Sequence, residues 1–137
     1  MPETPKSVAS TLEAECTQFF EAFSQAFSEF DGHVIARRYA SPYLSIHSDG
    51  SSQLFSSPSA IGQYFQEIVS RYHQQGCRSC QFKELNVVPL GRNAVLASVT
   101  WELLAESKLL ISAWRESYNL VRNNDALLIH VSTDHAA

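Results

Sequence analysis

Few side chains in this sequence can do chemistry alone, and their spacing decides which chemistry is open to them. Cys77 and Cys80 spell a C-x-x-C, "CRSC". A structural zinc site needs a second ligand pair, and none is spaced for it. A redox-active pair needs the start of a helix, where the dipole lowers the thiol pKa. "CRSC" follows a helix end and enters a strand, so both are read as ordinary thiols, and Cys16 falls on an apolar helix stripe. Five histidines are present. His33 and His73 fall at helix ends, His47 ends a short strand, and His130 and His135 lie on or just past the last strand. No two share the i, i+4 spacing of a helical metal site and no His-Glu-x-x-His occurs, so no metal is expected. The G-x-S-x-G, P-loop and G-x-G-x-x-G signatures are absent, "AIGQYF" reads as a helix turn, and no cofactor is expected.

"ISAWRESYNLV", Ile111 to Val121, has the period of a strand but two mixed faces. Ile111, Ala113, Arg115, Ser117, Asn119 and Val121 point one way. Ser112, Trp114, Glu116, Tyr118 and Leu120 point the other. A dry core would leave Arg115 or Glu116 needing a buried partner, and plain solvent would not call for Trp114 and Tyr118. A pocket on one side and a partner subunit on the other would suit both. Glu102 with Arg115, and Glu116 with Arg122, are expected as surface ion pairs worth about 0–1 kcal/mol each. The rival role for Arg115 is to bind a carboxylate in the pocket.

The totals bound the partners. The chain has 137 residues, 45% of them apolar, which suits one domain with a real core. Charged residues make up 18%, the formal net charge is −4, and no Lys/Arg cluster appears. That argues against nucleic acid and against attraction to a membrane surface. "MPETPKSVAS" has no apolar run of a signal peptide, and no stretch approaches the roughly 18 apolar residues that span a bilayer. An odd number of cysteines makes no disulfide framework. The expectation is a cytoplasmic protein.

The elements that must position these groups follow from periodicity. Residues 1 to about 9 read as a flexible arm, and residues 10–135 as a single domain. Ser10 and Glu13 fit a capping box. Behind them Leu12, Cys16, Phe19, Phe20, Phe23, Phe27 and Phe30 form the stripe of a long helix. "FDGH" breaks it at Gly32. "HVIARRYA" reads as a short second helix with Tyr39 inward. Leu44 and Ile46 alternate with Ser45 and His47 as a short strand ending at the Asp49–Gly50 turn, and "SDGSSQLFSS" reads as a polar loop. Ser57 and Pro58 open a third helix that Gly76 ends as a left-handed cap. Strands follow. A parity switch near Lys83 and Glu84 predicts a β-bulge. Val95, Ala97, Val99, Trp101 and Leu103 form one apolar face, and "LGRN", "AESK" and "NNDA" turn the chain. Helices first and antiparallel strands after imply an α+β domain.

This order resembles the nuclear transport factor 2-like superfamily, shared by ketosteroid isomerases and SnoaL-like polyketide cyclases. The resemblance runs from about Leu12 to His135 and is carried by "FSEFDGHVIARRYASPYLSIHSDG", "SPSAIGQYFQEIVSRYHQQG", "ASVTWELL" and "ESYNLVRNNDALLIHVSTDH". It implies a cone-shaped cystatin-like fold: three N-terminal helices packed on a strongly bent, mostly antiparallel sheet, with a cavity at the open end. It also implies a homodimer through the outer sheet face. The Trp114, Tyr118 and Leu120 face would then line the cavity. In ketosteroid isomerases the base is an Asp near the end of the first short strand, and His47 stands in that place here. A histidine there could move a proton near neutral pH; its bland alternative is a hydrogen-bonded strand end. That family's oxyanion tyrosine falls near Phe20 or Glu21, so it is missing and isomerase activity is not carried over.

Three functions remain open. The first is binding of an unidentified small hydrophobic ligand in an aromatic-lined cavity walled by Phe20, Phe23, Tyr39, Tyr64, Trp101, Trp114, Tyr118 and His130, with His47 beside them. The second is an isomerase, dehydratase or cyclase acting on a hydrophobic carbonyl substrate with His47 as general base. The third is an interaction module whose cone is plugged by its own side chains, Trp101 and Phe82 among them.

Overall fold

Phenylalanines at three- and four-residue spacing make the first helix amphipathic, and the rest of the fold is built against its apolar stripe. The structure, a computed structural model, describes residues 5–137, with side chains from residue 11 onward. Helix α1 spans Pro5–Phe27. It begins ahead of the expected box at Ser10 and Glu13, because a proline is tolerated in a helix's first turn. Part of the expected arm is therefore helix, and residues 1–4 lie outside the described residues. Cys16, Phe20, Phe23 and Phe27 are buried, with Leu12, Phe19 and Phe30 packed at the rim of the same core.

The break at "FDGH" is where α2, Gly32–Ala36, begins. The Asp31 carboxylate caps it by accepting from the His33 N–H at 2.9 Å. Only five residues long, it is shorter than the expected second helix. Helix α3 spans Pro58–Gln74; Ser57 caps it by accepting from the Ala60 N–H at 3.1 Å. Gly76 follows at φ 97°, the left-handed position where a glycine costs least. The two helices meet backbone to backbone. A Cβ on Gly32 would lie 2.2 Å from the Gln66 amide nitrogen. With no side chain there, the Gly32 N–H donates to Gln66 Oε1 at 2.8 Å.

The strands are β1 Tyr39–Ile46, β2 Ser52–Phe55, β3 Cys77–Pro89, β4 Ala94–Ala105, β5 Leu110–Asn123 and β6 Ala126–Asp134. They form one sheet in the order β2-β1-β6-β5-β4-β3. Every neighbouring pair is antiparallel except β1 with β6. Two expectations are corrected here. Tyr39 opens β1 instead of lying in the second helix. The expected polar loop contains β2, whose residues are mostly exposed and so carry no alternating pattern. The bulge is where the parity switch puts it: the β3–β4 register slips between Lys83 and Asn86, and Glu84 has φ 56°. Asn124 and Asp125 both have positive φ between β5 and β6, the backbone that a tight hairpin of this twist requires. Val95, Ala97, Val99, Trp101 and Leu103 of β4 and Tyr118 and Leu120 of β5 turn inward onto α1.

Candidate functional site

The inward faces of the sheet and the three helices do not fill the interior. A cavity of about 250 Å³ remains between them. Helices α1 and α2 supply Phe23, Phe27 and Ile35 to its wall; α3 supplies Tyr64, Phe65 and Tyr72. Strand β1 adds Tyr39, Tyr43 and Ser45, and β4 adds Trp101. Strand β5 contributes Trp114, Glu116 and Tyr118, while Ser132, Asp134 and His135 come from β6 and its end. Rings pack edge to face around it, as with Tyr39 and Tyr43 at 4.6 Å between centroids.

Several polar groups in this wall are paired with one another. Tyr43 Oη lies 2.5 Å from Ser132 Oγ, and Ser45 Oγ lies 3.4 Å from Tyr64 Oη. The Trp101 indole N–H donates to Tyr118 Oη at 2.6 Å. The Trp114 indole N–H donates to Glu116 Oε1 at 2.8 Å. Glu116 and Asp134 stand directly opposite each other on β5 and β6.

Electrostatics single out Glu116. Its pKa is raised to about 8, first because burial strips water from the carboxylate, then because Asp134 sets a second negative charge beside it. Its hydrogen bond with Asp134 acts in the same direction; those from Trp114 and Tyr118 oppose it. Near neutral pH Glu116 therefore keeps its proton. Burial also lifts the Tyr39, Tyr43, Tyr64 and Tyr118 phenols above their ordinary value, and Tyr72 to about 12. They are neutral hydroxyls, able to donate or accept. Cys80, also in the wall, is pushed up to about 12 by burial, so it is no ready nucleophile. Among the described residues no three His, Cys, Asp or Glu side chains gather as a metal set.

Six residues singled out from the sequence come together in the wall: Phe23, Tyr39, Tyr64, Trp101, Trp114 and Tyr118. Three do not. Phe20 packs behind it, its ring 5.4 Å from Tyr118 and 5.7 Å from Phe82. His47 lies just past β1, where the chain turns, and its Nε2 sits 3.1 Å from Gln53 Oε1 on β2. That is the hydrogen-bonded strand end. His130 follows the inward Ile129 at a register slip in β6 and is not part of the wall; its Nε2 is buried without a hydrogen-bond partner among the described residues. The expected ion pairs also differ. Arg122 makes two 2.8 Å bonds to Glu15 on α1. Glu102 meets Lys83 at 3.3 Å. Arg115 donates to Thr100 Oγ1 and the Glu84 carbonyl, away from the cavity.

Sequence reasoning missed Glu116, Asp134, Tyr43 and Ser132 as a set. Glu116 carried a usable signal, since it shares parity with Trp114 and Tyr118. Asp134 did not, because its place depends on how β6 registers against β5.

A family model described as NTF2-like protein (DUF6841) matches residues 14–137. The chain belongs to this family. Solved structures share the NTF2-like fold. Aln2 from a Streptomyces species superposes with a TM-score of 0.75 at 17% identity, over 99% of this chain and 94% of that one. A Catenulispora acidiphila protein in complex with S-DNPA gives 0.72 at 18% identity, over 92% and 93%. An NTF2-like protein with a cystatin-like fold from Novosphingobium aromaticivorans gives 0.72 at 10% identity, over 99% and 92%. No curated protein matches the sequence. No described helix is long and apolar enough to cross a membrane.

Proposed function

We propose that this NTF2-like protein binds a small ring-containing molecule in its cavity and exchanges a proton with it through Glu116 and Asp134. One observation carries the reading: Glu116 and Asp134 stand opposite each other in the wall of an aromatic-lined cavity, where burial and the second charge raise the pKa of Glu116. Such a pair can donate from one member and accept on the other, as general acid–base work requires. An isomerase, dehydratase or cyclase reaction on a hydrophobic carbonyl substrate would use it so, with the pair in the role first given to His47. The open cavity argues against a cone plugged by its own side chains. That a fold neighbour forms a complex with S-DNPA is consistent with this use of the fold.

The test is calorimetric titration with a panel of ring-containing metabolites, repeated in buffers of different ionisation enthalpy. Binding heats that differ between buffers in the wild type, and agree in Glu116→Gln, are expected. Buffer-independent heats in both would leave binding without proton exchange. No binding across the panel would remove the cavity reading.

We also propose that the outer face of the sheet pairs two copies. Val121 and Val131 are half-buried on it. Sedimentation velocity should give a dimer that Val131→Lys dissociates; a wild-type monomer at micromolar concentration would end this reading.

A further inference from the structure

The cavity is chemically lopsided. Among the described residues two carboxyl groups reach it and no Lys or Arg lines it. Around Glu116, β6 presents Asp134, and β5 presents Trp114 and Tyr118. Strand β1 presents the Tyr39 and Tyr43 phenols, and α3 presents Tyr64 and Tyr72. Among the described residues of α1 and α2, those in the wall are Phe23, Phe27 and Ile35. His135 borders the wall past β6, its Nε2 2.7 Å from Ser117 Oγ. A guanidinium felt in this region is that of Arg71, exposed on α3 and a minor influence on Tyr64 and Tyr72.

A second negative charge beside the first, with no cation among the described residues of the wall to offset it, is the expensive arrangement among buried charges. Hydroxyls cannot neutralise it; they only share hydrogen bonds. Its electrostatic complement is a positive charge, and the wall suits one on a second count. The faces of indole and phenol rings attract cations, more so when water is excluded. Trp114 and Tyr72 stand with ring centroids 6.2 Å apart on the side of the wall where Trp114 bonds Glu116. Carboxyl groups backed by aromatic rings, with no guanidinium or ammonium among the described residues of the wall, form a receptor for a cation that arrives from outside.

We infer that the ligand of this cavity carries a protonated amine or quaternary ammonium group, held against Glu116 and Asp134 by the surrounding tyrosine and tryptophan rings. This rests on the cavity being a binding site and adds the charge of its occupant. The bound cation favours the ionised form of Glu116, so binding expels a proton. Affinity for a permanent cation must therefore rise with pH up to the point where Glu116 is ionised in the free protein. A neutral ligand that accepts a hydrogen bond from Glu116 must show the opposite trend.

The experiment titrates the full chain with three probes sharing one ring: benzyltrimethylammonium, benzyl alcohol and phenylacetate. Calorimetry is run at pH 6.5 and pH 8.5. The ammonium probe is expected to bind about tenfold more tightly than the alcohol at the higher pH, with the margin narrowing at the lower. Phenylacetate should bind more weakly than the alcohol at both. Glu116→Gln should remove the pH dependence of the margin, Asp134→Asn should shrink the margin itself, and His135→Gln should leave both in place. Alcohol binding as tight as the ammonium, or tighter, at both values overturns the inference and leaves the cavity as a site for neutral ligands. No binding by any of the three to the folded wild type overturns both readings.

Discussion

Glu116 takes the Trp114 indole N–H and still keeps its own proton, because desolvation and the Asp134 charge outweigh that bond. The shift makes stability depend on pH with a definite sign. The folded value, about 8, lies above the reference value of 4.5, so between the two the folded state holds a proton that the unfolded state has lost. Glu116 therefore costs nothing below the reference value, and stability falls as pH rises toward the folded value. In urea denaturation Glu116→Gln should be more stable than wild type at pH 9, on the order of 2 kcal/mol. The difference should shrink as the medium is made acidic; a gap that widens instead would refute the assignment. Trp114 gives an optical check: its emission should titrate near pH 8 in wild type and not in Glu116→Gln. At this scale the aromatic wall was legible from parity, since Trp114, Tyr118 and Trp101 lie on faces marked by alternation. The carboxyl pair was not. Glu116 had an apparent partner in Arg122, which instead reaches across to Glu15 on α1, and the place of Asp134 depends on how β6 registers against β5.

Where an element's boundary is set by a local signal, the sequence shows it. Ser57 before Pro58 opens α3, Gly76 closes it, and the parity switch at Lys83 and Glu84 is the bulge in β3. Elements held by tertiary contacts were harder to see. Strand β2 has mostly exposed side chains and exists through its pairing with β1. Tyr39 carries helical neighbours in sequence, but α2 stops at Ala36 and the next residues are drawn to β6. Gly32 read as a break; its larger role is to let α2 touch α3. Gly32→Ala should lower stability by about 1–3 kcal/mol, the range for forcing atoms into a packed contact, seen as a fall in urea midpoint. Ser57→Ala should cost about 1 kcal/mol through loss of the cap. A neutral Gly32→Ala would mean that the helices separate freely.

Across the whole molecule, protection from hydrogen exchange should follow the sheet order. Strand β4, paired on both sides and burying alternate residues, should exchange most slowly; β2, exposed at the edge, should exchange fast. Exchange of β2 amides as slow as those of β4 would contradict this order. The same order leaves the β1–β2 hairpin joined to the later strands along one line, the parallel edge between β1 and β6. Tyr43 and Ser132 clasp hands over that line, and both also face the cavity. An occupant that claimed either oxygen would loosen the one sheet seam that binds the early hairpin to the later meander, so filling the hollow would be felt by the hinge of the sheet itself.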